Sequence, residues 1–365
     1  MNYYKKELSA LKHSGRYRER KLFSEEIVDF ASNDYLGLAN KKKLLDKAYE
    51  KVSTYEAHAS KASMLVNGYH PIHKEFEEAL YEVNGYEDGV ILGSGFNANI
   101  ALIESLCRKG DELFMDEKYH ASGVMATQLV DAKITYFSHN SASELENLLE
   151  NSDAKRKIIA VEGIYSMDAD LLNKEIIFLA DRYEAILILD EAHSSGVIGK
   201  NLTGILDYYD LEVKNNYIKM GTLGKAYGSF GAYILASSHI IDFLINRAKP
   251  IIYATAPSLF DTALGHVSLE YIQENKKVLA LEIKRYQDIV FQQLGIKIDG
   301  LICPIDIGDN RKVMQIQAML MEENFLVAAI RQPTVPSAII RLIARLGVSK
   351  DELLRVCKLI NSSIR

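Results

Sequence analysis

Seven short runs of apolar, β-prone residues punctuate the chain between residues 86 and 236, each closed by a polar or glycine-containing stretch. They read GVILG (89 to 93), ELFMD (112 to 116), ITYFS (134 to 138), KIIAVEG (157 to 163), AILILD (185 to 190), YIKMG (217 to 221) and GAYILAS (231 to 237). Between them the period changes. NIALIESLCRKG, SASELENLLENSD and NKEIIFLADRYEA place apolar residues three and four apart, the spacing of a helix with one buried face. Strands alternating with such helices predict an α/β fold, a mainly parallel seven-stranded sheet between helices.

The flanks read differently. Residues 1 to 40 form a basic, helix-like arm and a turn, ASNDYLGLAN, and residues 41 to 262 a large domain around the sheet. From residue 263 onward a long helical pattern, some short strands and a last helix, KDELLRVCKLINSSI, predict a smaller α+β domain.

In open parallel sheets ligands sit beyond the carboxyl ends of the strands. Here those ends are rich in polar groups: SGFN follows the first run, DEKYHAS the second, EGIYSMD the fourth, DEAHSSG the fifth and GTLGKAYG the sixth. Five loops from separate parts of the chain are thus expected to converge on one edge.

Composition removes several classes of function. Acidic residues outnumber basic ones 49 to 43, a formal net charge of -6, so no broad cationic surface for nucleic acid is expected. The charged N-terminus lacks the apolar core of a secretory signal and no apolar run approaches a membrane span, which predicts a cytoplasmic protein. Three dispersed cysteines offer neither a disulfide framework nor a metal-ligand spacing, and no metal site is expected.

Lys225, among glycines after an apolar run, admits two readings. In a P-loop it would cradle a nucleotide phosphate, and the letters DEAH upstream suit a helicase-type NTPase. That motif needs a glycine where this chain has Lys219 and a Ser or Thr where it has Ala226. The alternative is an amine that bonds an aldehyde cofactor. Pyridoxal phosphate then asks for a carboxylate at its ring nitrogen, which Asp190 offers, an aromatic or imidazole on its ring, which His120 offers, and a helix start for its phosphate, which SGFN offers.

ASNDYLGLA, SGFNANI, DEKYHAS, EGIYSMDADL, DEAHSSGVIG, GTLGKAYGSFGA and AIRQPTVP together resemble, in order, the signatures of the α-oxoamine synthases, pyridoxal-phosphate enzymes of the fold-type I aminotransferase superfamily. The resemblance implies that Lys225 holds the cofactor and acts as the base at the amino acid's Cα. It implies Asp190 as the partner of the pyridinium, His193 at the phenolic oxygen, His120 stacked on the ring, and Ser166 beside the cofactor oxygen with Glu162 in support. For the phosphate it implies Ser94, Gly95, Phe96 and Thr222, with Thr255 reaching across from a second subunit of a homodimer.

Substrate contacts implied by the resemblance are Asn33, His73 and Thr334. The arginine expected at the amino acid's carboxylate falls on Ile343, with Arg341 and Arg345 two residues to either side as the substitutes. Arg16, Arg18, Arg20 and Lys21 of the arm suit the phosphates of an acyl carrier but equally a solvated basic helix. Members of the family condense an amino acid with an acyl thioester and release carbon dioxide. FASNDYLGLA and AIRQPTVP are most similar to the biotin-pathway member, which joins L-alanine to a pimeloyl group on coenzyme A or a carrier protein; the nearer rival is the member that joins glycine to acetyl-CoA.

Overall fold

The computed structural model describes residues 2 to 14 and 17 to 364; Arg16 of the basic arm lies outside them. Twelve strands are assigned among these residues: β1 (Val28–Asp29), β2 (Asp88–Leu92), β3 (Glu112–Asp116), β4 (Lys133–Phe137), β5 (Lys157–Glu162), β6 (Ile186–Asp190), β7 (Tyr217–Thr222), β8 (Ala232–Ala236), β9 (Ile302–Gly308), β10 (Phe325–Leu326), β11 (Ala328–Ile330) and β12 (Ala338–Ile343). Strands β2 to β8 are the seven anticipated runs. They form one sheet in the order β2-β8-β7-β6-β5-β3-β4, parallel except for β8, which runs against both neighbours.

Burial explains why the runs are so apolar. Two cores lie on the two faces of the sheet: Ile159, Val161, Leu187 and Leu189 point into one, Ile158, Ala160 and Ile188 into the other. A strand covered on both sides has no polar face to show. Because β2, β3, β5, β6 and β7 share a direction, their five carboxyl-terminal loops meet at one edge.

The long helix Leu259–Leu294 starts four residues before the expected position, where the Ser258 side chain accepts the Asp261 N–H. It runs 36 residues, about 54 Å at 1.5 Å per residue, and stops at Gly295, whose φ of 72° suits a residue without Cβ. Its first half packs on the helices Lys42–Ser53 and Pro71–Asn84, its second on Lys350–Ile364. The C-terminal sheet is antiparallel, in the order β11-β12-β9. β1 pairs in parallel with β10 and so ties the end of the arm to this region. The helix Asn2–His13 lies exposed, as do Arg18, Arg20 and Lys21. Among the described residues no helix is long and apolar enough to cross a membrane.

Candidate active site

Beyond the carboxyl ends of the parallel strands lies a cavity of about 210 Å³, walled by Gly95, His120, Glu162, Asp190, His193 and Lys225 among others. They arrive from five separate segments, Asp190 and His193 together from the end of β6. Lys225 follows β7 in a turn where Gly228 N–H reaches back to the Lys225 carbonyl, at 3.0 Å. Its Nζ lies 2.9 Å from Nε2 of His193, whose Nδ1 lies 2.5 Å from the Tyr35 hydroxyl. Burial lowers the Lys225 amine to about 8, although the carboxylates of Asp190 and Glu162 oppose the shift. Burial also drives His193 well below the usual histidine range, helped by the charges of Lys225 and Arg341. Lys225 therefore offers its lone pair nearer neutral pH than a free lysine would, and burial favours the uncharged ring of His193.

Asp190 closes β6 and is buried. Its Oδ1 accepts the Ala192 N–H at 3.0 Å and its Oδ2 accepts from Asn99 Nδ2 at 3.0 Å. Glu162, closing β5, is pushed far above the carboxylate range by burial and by the neighbouring Asp190 charge.

On the opposite wall Ser94 caps the helix Gly95–Leu106 by accepting the Asn97 N–H. Gly95 meets the end of β7 so closely that a Cβ there would lie 2.6 Å from Thr222 Cγ2. Glycine here lets the helix start close against Thr222 at the strand end. The Thr222 Oγ1 and Glu162 Oε1 atoms are buried without a hydrogen-bond partner among the described residues. An unpaired buried hydroxyl at a helix N-terminus is where a phosphate would be received.

Not every anticipated residue reaches this cavity. Arg341 does lie close: its Nε donates to the Ser166 carbonyl at 2.8 Å and its Nη1 to Asn33 Oδ1 at 3.0 Å, so these three residues form one group. Arg345 does not. The strand ends at Ile343, and Arg345 turns to pair with Asp34 at 2.5 Å and Asp29 at 3.2 Å, which uses up its guanidinium inside the fold. Ile343 is wholly buried. His73 is also a correction: it is fully buried, Nδ1 accepts the His70 N–H at 3.1 Å, and Nε2 donates to the Pro257 carbonyl at 2.9 Å. With both nitrogens engaged it anchors the Thr255 segment rather than a substrate. Thr255 itself is exposed and outside the cavity of its own chain.

A second cavity of about 740 Å³ adjoins the first. Val124, Met125, Tyr165, Met167, Val335 and Ile339 give it apolar walls, Thr334 and Ser166 lie on its margin, and His120 borders both cavities. Tyr35, Asn99 and Tyr119 were not anticipated. A buried asparagine on the apolar helix NIALIESL, one turn after Gly95, is the signal that could have found Asn99.

The family profile for class I and II aminotransferases matches residues 25 to 360. The chain belongs to this family. Among curated proteins it is similar to the 8-amino-7-oxononanoate synthases of two Helicobacter pylori strains, J99 and 26695, each 44% identical over 96% of this chain and 94% of theirs. The Saccharophagus degradans 8-amino-7-oxononanoate synthase is 33% identical over 95% of this chain and 92% of its own. Among solved structures, 8-amino-7-oxononanoate synthase from Francisella tularensis superposes with a TM-score of 0.76 at 26% identity, over 93% of this chain and 98% of that one. Serine palmitoyltransferase from S. paucimobilis shares the fold, with a TM-score of 0.89 at 20% identity over 98% and 96% of the two chains. A family match over this span leaves no place for a P-loop NTPase.

Proposed function

We propose that the protein condenses L-alanine with a pimeloyl thioester, carried on coenzyme A or a carrier protein, to give 8-amino-7-oxononanoate, carbon dioxide and free thiol. The observation that carries the reading is the 44% identity to 8-amino-7-oxononanoate synthases along 96% of the chain. The residues on the cavity wall fit pyridoxal phosphate: an amine, a buried carboxylate, an imidazole on either side and an unpaired hydroxyl at a helix start. When bound, the cofactor supplies an electron sink for the charge left on the amino acid's Cα.

The chain's own groups do the rest. Lys225 would hold the cofactor, and its free amine takes the Cα proton, a task suited to a group lowered to about 8. Asp190, held on both oxygens, would keep the cofactor's ring nitrogen protonated. Gly95, Phe96, Ser94 and Thr222 would hold the phosphate, and His193 the phenolic oxygen. Arg341, with two of its nitrogens fixed by Ser166 and Asn33, presents its remaining edge to the alanine carboxylate. The apolar cavity takes the acyl chain, which glycine C-acetyltransferase chemistry would leave unfilled. The Cα–acyl bond forms as the thiolate leaves; the carboxylate then departs as carbon dioxide and the Cα is reprotonated.

A second copy of the chain completes the site. Thr255 and its neighbour Tyr253, 79% exposed, together with Phe96 at 42%, form the face it covers. Borohydride reduction of the cofactor-loaded protein, followed by peptide mass mapping, is expected to place the pyridoxyl label on Lys225. A label on any other lysine removes this reading.

A further inference from the structure

Asn99, Ser122 and Tyr119 are buried to within a few per cent, and no step above uses them. The Asn99 side chain sits between Asp190 and Ser122. Its Nδ2 donates to Asp190 Oδ2 and to Ser122 Oγ, each at 3.0 Å, and its Oδ1 accepts from the Tyr119 hydroxyl at 2.7 Å. That orientation is fixed by charge and by donor chemistry: the reverse amide would set an oxygen against the Asp190 carboxylate and a donor against the tyrosine proton. Ser122 Oγ in turn lies 2.7 Å from Nδ1 of His120, and the Ser122 backbone N–H points at the same nitrogen at 3.3 Å.

We infer that Asn99 and Ser122 are positioning residues that fix His120 as the neutral ring bearing its proton on Nε2. A backbone N–H has no acceptor form, so Nδ1 carries no proton while it receives that bond; at 3.3 Å the bond is long, and the Ser122 hydroxyl at 2.7 Å is the stronger hold. The Ser122 hydroxyl, already accepting from Asn99, is left to send its own proton to that same Nδ1. Two donors on one ring nitrogen leave the single proton of a neutral imidazole on the other. Burial and the positive charge of Lys225 lower the basicity of His120, in keeping with a neutral ring, while Asp190 opposes them. The chain thus runs from the carboxylate assigned to the ring nitrogen, through an amide and a hydroxyl, to an imidazole at the junction of the two cavities.

The use made of the Nε2 proton rests on the proposed condensation. His120 then donates to the thioester carbonyl oxygen as negative charge develops there, and it is not the base. The tautomer itself stands apart from that reading.

The test is nitrogen NMR of the full-length, cofactor-loaded protein with labelled histidine, at neutral pH, using His120→Gln to identify the resonance. The expected wild-type spectrum has Nδ1 unprotonated and Nε2 protonated. An Nδ1–H tautomer or an imidazolium overturns the inference. Ser122→Ala, which keeps the backbone donor and loses the hydroxyl, is expected to populate a second His120 form and to lower kcat roughly tenfold with little change in the KM for L-alanine, and Ser122→Thr to restore both. An unchanged spectrum and kcat in Ser122→Ala overturns the relay. If the tautomer is as stated but L-alanine and pimeloyl-CoA give no turnover, the proposed function fails and the relay stands.

Discussion

Lys225 carries an unfavourable charge in the folded chain, and that can be measured without any substrate. Its amine is lowered from 10.5 to about 8 by burial. A lysine whose folded pKa lies below its unfolded value destabilises the fold fully at pH below about 8, and the penalty disappears as pH rises towards 10.5. Lys225→Met in the cofactor-free protein is therefore expected to raise stability by about 2 kcal/mol at pH 7, reduced from the full shift because part of the side chain still meets solvent. Denaturant titration at pH 7 and pH 10 checks it: a gain that persists undiminished at pH 10 contradicts the burial argument. Asp190 was legible because it ends an apolar run, and Lys225 because it stands among glycines just after one. The arginine was not, since Arg341 and Arg345 differ in where β12 stops and in Asp29 and Asp34, more than three hundred residues away in sequence.

At the scale of elements, the loops that carry His120 and Ser166 are held by a clamp no local pattern announces. His139, after β4, lies with Nδ1 3.1 Å from Asp116 at the end of β3 and Nε2 3.0 Å from Asp170 in the loop after β5. The Tyr165 hydroxyl and the Asn140 N–H both donate to Asp116 at 2.9 Å, and Asn140 Nδ2 donates to Asp170 at 2.7 Å. Hydrogen bonds to the two carboxylates raise His139 to about 9 against the desolvation that burial imposes. Since the folded pKa exceeds the unfolded one, its stabilisation is complete below about 6.5 and is lost as pH rises through 9. His139→Gln should cost about 2 kcal/mol at pH 7, and the difference from wild type should shrink by pH 10. A difference that does not change with pH would mean that His139 is neutral in the fold. Each strand in the clamp was readable from its apolar run, but the neighbourhood of β3, β4 and β5 is a property of strand order.

At the scale of the whole molecule, the sheet explains why so many of the residues anticipated from sequence come together at one cavity. Parallel strands fed by helices put successive loops on one edge, so chain position translates into spatial position. The rule fails where a contact depends on long-range packing. His73 looked like part of a substrate loop, yet the 71–84 helix it caps packs under the Pro257 segment and turns the imidazole inward. The two cavities, small and polar beside large and apolar, suit an amino acid on one side of His120 and a long acyl chain on the other. The most direct measurement of this account is thiol release from pimeloyl-CoA by the cofactor-loaded protein, with L-alanine and with glycine, for wild type and Lys225→Ala. The account predicts release with L-alanine by wild type, little with glycine, and none from Lys225→Ala. Release by Lys225→Ala, or acceptance of glycine with acetyl-CoA in place of L-alanine with pimeloyl-CoA, would contradict it.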